Sequence, residues 1–186
     1  YQQHLFMFLL EHSGMRLLVV GANGLLGSNV VYAGQQRGWK ICGTYHSTSP
    51  AFDVPLTQFD LGDYEDFGDF LEKYDPDVVV NCAAMTDVDS CARDPERAQL
   101  LNSDAPGGLA ARCAAADVNF VHISTDYVFD GTARDPYTEE ATPNPVQAYG
   151  ESKLSGERAV RSGLDNTLIA RISFLWGIHR STDDLT

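Results

Sequence analysis

The chain has 186 residues, 44% of them apolar, and no apolar run of the ~18 residues that a membrane-crossing helix needs. That length and core fraction suit one domain, or one domain and part of another. A formal charge of −13, from 18 Asp and 8 Glu against 10 Arg and 3 Lys, argues against nucleic acid and anionic membranes as partners, since both carry the same sign.

Residues 1–14, YQQHLFMFLLEHSG, read as an extension outside the domain or a misplaced start. Their apolar stretch lacks the basic leader and small-residue cleavage site of a signal peptide. RLLVV (16–20) is a continuous apolar run, as a strand covered on both faces requires. VVGANGLLGS (19–28) follows and opens a helix from about Leu25 to Arg37. Gly21 allows a tight turn, Gly24 lets backbone approach a pyrophosphate, and Gly27 lets helix and strand pack closely. The helix N-terminus offers unpaired N–H groups and partial positive charge to phosphates. A glycine turn between the first strand and first helix is a dinucleotide-binding pattern, although the first gap here holds two residues, Ala22 and Asn23, instead of one.

KICGTY (40–45) is the second strand. The acidic residue that usually binds an adenosine ribose hydroxyl would follow it, and none does. No arginine is present there to grip a 2′-phosphate. His46, Ser47 and Thr48 can hydrogen-bond that group or serve as ordinary loop residues. The missing carboxylate mildly favours NADPH over NADH. TQFDL (57–61) is a short third strand, whose Asp60 suits either an adenine amino group or a turn. DYEDFGDFLEKY (63–74) places Phe67, Phe70 and Leu71 at helical spacing, and DVVVN (77–81) is a fourth buried strand. DPERAQLL (94–101) starts a helix with Asp94 as cap and Pro95 in its first turn. Pro106, Gly107 and Gly108 strain its continuation, and the alanine-rich run to Ala116 implies that it resumes.

NFVHIS (119–124) is a fifth strand, a loop runs from Thr125 to about Gln147, a helix spans Tyr149–Arg161, and TLIAR (167–171) is a sixth strand. Alternating strands and helices call for right-handed crossovers, and so for a doubly wound α/β fold with a parallel sheet. Tyr149 and Lys153 share one helix face, one turn apart. Taken alone, that pair is a surface coincidence as readily as an active site. Cys42, Cys82, Cys91 and Cys113 form no CxxC pair, so free thiols in a reducing cytoplasm are expected, with no metal site. The Asp-rich, Lys-poor balance also suits a protein that works in strong salt.

GANGLLG, FDL, NCAA, Asn102, STDYVFDG, YGESK and ARISFLWG follow in the order and spacing of the extended short-chain dehydrogenases/reductases. Over residues 15–179 the chain resembles the dTDP-4-dehydrorhamnose reductase family within them. The resemblance implies a Rossmann NAD(P)-binding domain over 15–177 and the start of a substrate-binding region at 178–186. Members continue for about another hundred residues, so the chain reads as truncated, with turnover in doubt. It implies a catalytic Tyr149, Lys153 and Thr125, with Ser124 the near rival of Thr125. Gly21, Asn23, Gly24, Leu25, Leu26, Gly27, His46, Ser47, Asp60, Leu61, Cys82, Ala83, Ala84, Asn102, Tyr149 and Lys153 would contact the cofactor, NADPH or else NADH.

Reducing a ketone takes a hydride on carbon and a proton on oxygen. The proton needs an acid with a pKa near the working pH. A phenol starts at ~10, and a unit charge ~5 Å away at an effective dielectric of ~20 supplies ~3 kcal/mol towards lowering it. The expected reaction is reduction of a nucleotide-linked 4-keto-6-deoxysugar by a cytoplasmic enzyme, with a homodimer as the expected assembly. An epimerase shares the Tyr–Lys pair. A dehydratase is disfavoured because Tyr127, not Glu, follows Asp126. A non-catalytic role like that of the regulatory subunit of methionine adenosyltransferase is the third reading.

Overall fold

In a computed structural model, residues 14–48, 52–162 and 167–180 are described; residues 1–13 of the expected extension and 181–186 of the expected C-terminal region lie outside them. Six parallel strands form one sheet: β1 (Arg16–Val20), β2 (Lys40–Tyr45), β3 (Leu56–Gln58), β4 (Val78–Asn81), β5 (Asn119–Thr125) and β6 (Thr167–Ile172). Their order across the sheet is β3-β2-β1-β4-β5-β6. The expected doubly wound α/β fold is therefore present. Its strand order reverses between β1 and β4, where such sheets leave a crevice beyond their carboxyl ends.

The strands read as unbroken apolar runs because both faces are covered. Leu18, Val20, Val79 and Phe120 pack on one face with Phe67, Leu71 and Leu109. Leu17, Val19, Val78, Val80 and Val121 pack on the other with Val31 and Ile41. Helix α1 (Leu25–Gln36) covers the second face. Helices α2 (Phe67–Tyr74) and α5 (Ala105–Ala115) cover the first.

Sequence and structure part at three places. The third strand stops at Gln58, because Phe59 turns inward and Asp60 caps a 3-10 turn over Leu61–Asp66. A short helix, α3 (Val88–Arg93), occupies a stretch for which the sequence showed no element, with Asp87 accepting from the Ser90 N–H at its start. The helix expected over 94–101 is α4 (Pro95–Gln99), which widens into a π-turn at Leu100–Asp104 before α5 resumes. The wide turn accommodates Pro106, whose missing N–H falls in the first turn of the resumed helix. Helix α6 (Ala148–Arg161) follows β5 and crosses to β6.

Candidate active site

The glycine loop sits at the strand-order reversal. Gly21 has φ +81°, a region that side chains rarely enter, and a Cβ there would lie 3.0 Å from the Ala83 nitrogen in the loop after β4. A Cβ at Gly27 would fall 2.1 Å from the Gly21 carbonyl oxygen, so α1 presses directly on the turn. Gly24, by contrast, is exposed, and its Cβ would meet only that oxygen at 3.5 Å. The start of α1 has neither a side-chain cap nor an acidic residue in its first turn. Its N–H groups thus form an open, positively polarised cradle, which a pyrophosphate fits.

A cleft of about 240 Å³ opens beside this cradle, walled by Gly21, His46, Asp60, Leu61, Ala83 and Ala84 among others. Asp60 accepts from the Gly62 N–H at 2.9 Å and lies 3.3 Å from the His46 imidazole. The bond from Gly62, and then the charge of His46, hold its carboxyl below the ordinary range. Asp60 thus caps a turn and also lines the cleft. Arg97 of α4 also lines this cleft, so an arginine does reach it, from a part of the chain that β2 and its loop do not show.

On the other side of β4, Gln147 caps α6 by accepting from the Gly150 N–H at 3.0 Å, which starts the helix one residue before Tyr149. Gly150 lets this first turn lie on the Tyr127 carbonyl oxygen, where a Cβ would be only 2.2 Å away. The Tyr127 and Tyr149 rings meet edge to face at 5.7 Å. Burial raises the Tyr149 phenol, and a hydrogen bond with Thr125 pulls it partly back. The structure separates the two rival hydroxyls, which point to opposite faces of β5. Ser124 donates to Glu157 at 2.6 Å, while Thr125 stands with Tyr149.

The polar contacts of the Lys153 amine go to β5. The amine donates to the Ile123 carbonyl oxygen at 2.7 Å and lies 3.4 Å from Nε2 of His122. Burial pulls its pKa down to about 8. Burial and then the Lys153 charge hold His122 well below its ordinary value, so the imidazole is neutral. His122 in turn meets Asn81 at 3.4 Å, and Asn81 accepts from the Ala83 N–H at 3.1 Å. A polar chain thus runs from Lys153 to the loop that packs on Gly21. The motif reading missed His122, although an isolated histidine inside an apolar strand is its visible sign.

Two other residues hold this wall from behind. Arg171, the last residue of the sixth strand read from the sequence, forms a two-pronged pair with Glu157 at 2.8 and 2.7 Å, joining β6 to α6. Burial pushes the Glu157 carboxyl up, but hydrogen bonds from Arg171 and Ser124 outweigh it and leave it below the ordinary value. Asn102, placed among the cofactor contacts by the sequence, is fully buried and is not part of the cleft wall. Its amide bonds both backbone groups of Met85, at 2.8 and 2.9 Å, and the Ser152 hydroxyl at 3.0 Å. The π-turn aims Asn102 inward, and its polar atoms are spent on clamping α6 to the β4 loop.

The profile of the RmlD substrate binding domain family matches residues 15–183. The chain belongs to that family. It is 50% identical over 171 residues to the probable low-salt glycan biosynthesis reductase Agl14 of Haloferax volcanii, covering 92% of this chain and 57% of that protein. It is 39% identical over 163 residues to the methionine adenosyltransferase 2 subunit beta of Bos taurus, covering 87% of this chain and 47% of that one. The crystal structure of dTDP-4-dehydrorhamnose reductase from Bacillus anthracis in complex with NADP superposes with a TM-score of 0.77 at 26% identity, over 89% of this chain and 55% of that one. The chain thus spans about half the length of these relatives.

Within this RmlD-family chain the described site surrounds the glycine cradle. The segment 174–178 beyond β6 carries Phe174, Trp176 and Ile178 at 77, 87 and 55% exposure. It lies on α1, where Asn29 donates to the Ile178 carbonyl oxygen at 3.0 Å.

Proposed function

We propose that this protein supplies the cofactor site and the acid of a reductase that converts a nucleotide-linked 4-keto-6-deoxysugar to the alcohol, of the dTDP-4-dehydrorhamnose to dTDP-rhamnose type. The observation that carries this reading is the Thr125–Tyr149 hydroxyl pair, one helical turn from Lys153, whose polar chain ends on the loop against the glycine cradle. Gly21, Asn23, Gly24, Leu25, Leu26 and Gly27 would hold the pyrophosphate of NADPH, or of NADH less tightly. His46, Ser47, Asp60 and Leu61 would hold its adenosine end, and Cys82, Ala83 and Ala84 would lie beneath it. The NADP complex of the Bacillus anthracis relative supports this choice. When bound, the nicotinamide supplies a hydride.

The chain's own groups supply the rest. Thr125 donates to the substrate carbonyl oxygen and fixes its direction. Tyr149, kept protonated by burial, gives its proton to that oxygen as the carbinol forms. With a pKa of about 8, Lys153 is still mostly protonated at pH 7 and can stabilise the phenolate left behind. The protein would act in the cytoplasm, and a homodimer is the proposed assembly. The test is loss of NADPH absorbance with dTDP-4-dehydro-6-deoxy-L-mannose. Tyr149→Phe should abolish turnover while keeping NADPH affinity; turnover that survives removes Tyr149 from its role. The likeness to the adenosyltransferase subunit favours one other reading, a dinucleotide-binding partner without turnover. Tight NADPH binding with no reduction of any sugar-nucleotide ketone would decide for it.

A further inference from the structure

The adenosine end of the cleft contains a cation that arrives from outside the usual elements. β2 ends at Tyr45, and the sequence that follows it from His46 has no arginine before β3. Yet Arg97, an exposed residue of α4, lines the same cleft as His46 and Asp60. Asp94 caps α4 by accepting from the Arg97 N–H at 3.0 Å, which sets the direction in which this helix leaves the β4 loop. Among the described residues, no carboxylate lies within ion-pair distance of the Arg97 guanidinium, whereas Arg93 and Arg171 each have one and Arg16 has two. The charge of Arg97 is nevertheless felt by Asp60.

We propose that Arg97 is the residue that admits the 2′-phosphate of NADPH, acting from α4 across the cleft from His46. This rests on the dinucleotide reading above and adds to it the group that sets cofactor choice. The charge balance gives the reason. Asp60 places a carboxylate in the cleft, and the chain as a whole carries −13. A 2′-phosphate brings about two further negative charges. Without Arg97 the cleft-lining groups with N–H donors among the described residues are an imidazole and backbone, so the phosphate would meet net repulsion. A guanidinium offsets Asp60 and offers a planar fork that matches phosphate oxygens. NADH has a hydroxyl at that position and gains nothing from the fork.

The test is direct titration of this chain with NADPH and with NADH, followed by nicotinamide fluorescence, for the wild type, Arg97→Leu and Arg97→Lys. Leu keeps the apolar stem of an exposed side chain, so the fold should be kept, and a thermal melt checks this. Arg97→Leu should weaken NADPH about tenfold or more and change NADH less than about twofold. Arg97→Lys, a point charge without the fork, should fall between them. The wild-type preference should shrink as salt screens the contact. Equal weakening of both nucleotides, or a ratio that Arg97→Leu does not move, overturns the assignment of Arg97 alone. A wild-type chain that binds neither nucleotide overturns the dinucleotide reading, and this inference with it.

Discussion

The amine of Lys153 donates to the carbonyl oxygen of Ile123 at 2.7 Å, in the interior of the protein at 2% exposure. An ammonium buried there costs stability, and burial is the first cause of its fall from 10.5 to about 8. The unfolded chain holds this proton up to about pH 10.5, while the folded one releases it near 8. Between those values the unfolded state binds more protons, so this group makes folding more favourable as pH rises.

Lys153→Met should therefore stabilise the chain at pH 7. The shift corresponds to about 3 kcal/mol, and losing the bond to Ile123 returns about 1, leaving a gain of about 2 kcal/mol. The gain should shrink between pH 8 and 10.5, as the wild-type amine loses its charge. Urea unfolding at a series of pH values measures this. A gain that is constant with pH would mean that packing, not charge, sets it.

Ser124 and Thr125 adjoin on β5 but do different jobs. Ser124→Ala breaks the buried bond to Glu157 and should cost about 1–2 kcal/mol in denaturant, with turnover within about twofold of wild type. Thr125→Val should reduce turnover by about tenfold or more. Its stability cost, from the lost bond to the Tyr127 N–H, should be about 1 kcal/mol. The opposite pattern in NADPH consumption would return the catalytic role to Ser124.

Gly150→Ala sets a Cβ against the backbone oxygen of Tyr127 at 2.2 Å, and no rotamer relieves that contact. The first turn of α6 must move, taking Tyr149 with it. A loss of about 2 kcal/mol or more is expected, together with loss of turnover. Gly68→Ala is the contrast, since nothing lies within 4 Å of its Cβ on α2. It should stabilise by about 0.5–1 kcal/mol. Thermal melts of the two variants should move in opposite directions.

A charge of −13 on 186 residues repels itself at low salt. The melting temperature should rise by about 5 °C or more from low to molar sodium chloride, as screening shortens to ~3 Å. An unchanged melting temperature would end the strong-salt interpretation of the composition.

The strands were legible because burial on both faces leaves an unbroken apolar run in RLLVV, DVVVN and NFVHIS. The short helix Val88–Arg93 was not, because six residues hold too few turns for a period to show. The third strand was drawn too long because apolar Phe59 continues its pattern, while the cap at Asp60 is a tertiary choice. Asn102 and Arg171 stand in family motifs, yet their hydrogen bonds go to Met85, Ser152 and Glu157, partners that spacing does not reveal.

Local chain chemistry alone decided the alternating elements, the glycine turn and the placing of Tyr149 one helical turn before Lys153. These depend on side-chain period and backbone freedom, which neighbouring residues set. Folding decided which cation faces the cleft beside the glycine turn, which of two adjacent hydroxyls meets the phenol, and how far burial lowers the lysine. Those depend on distance and solvent access between segments far apart in sequence, and only the packed sheet brings Arg97 to the cleft and His122 and Glu157 to their partners.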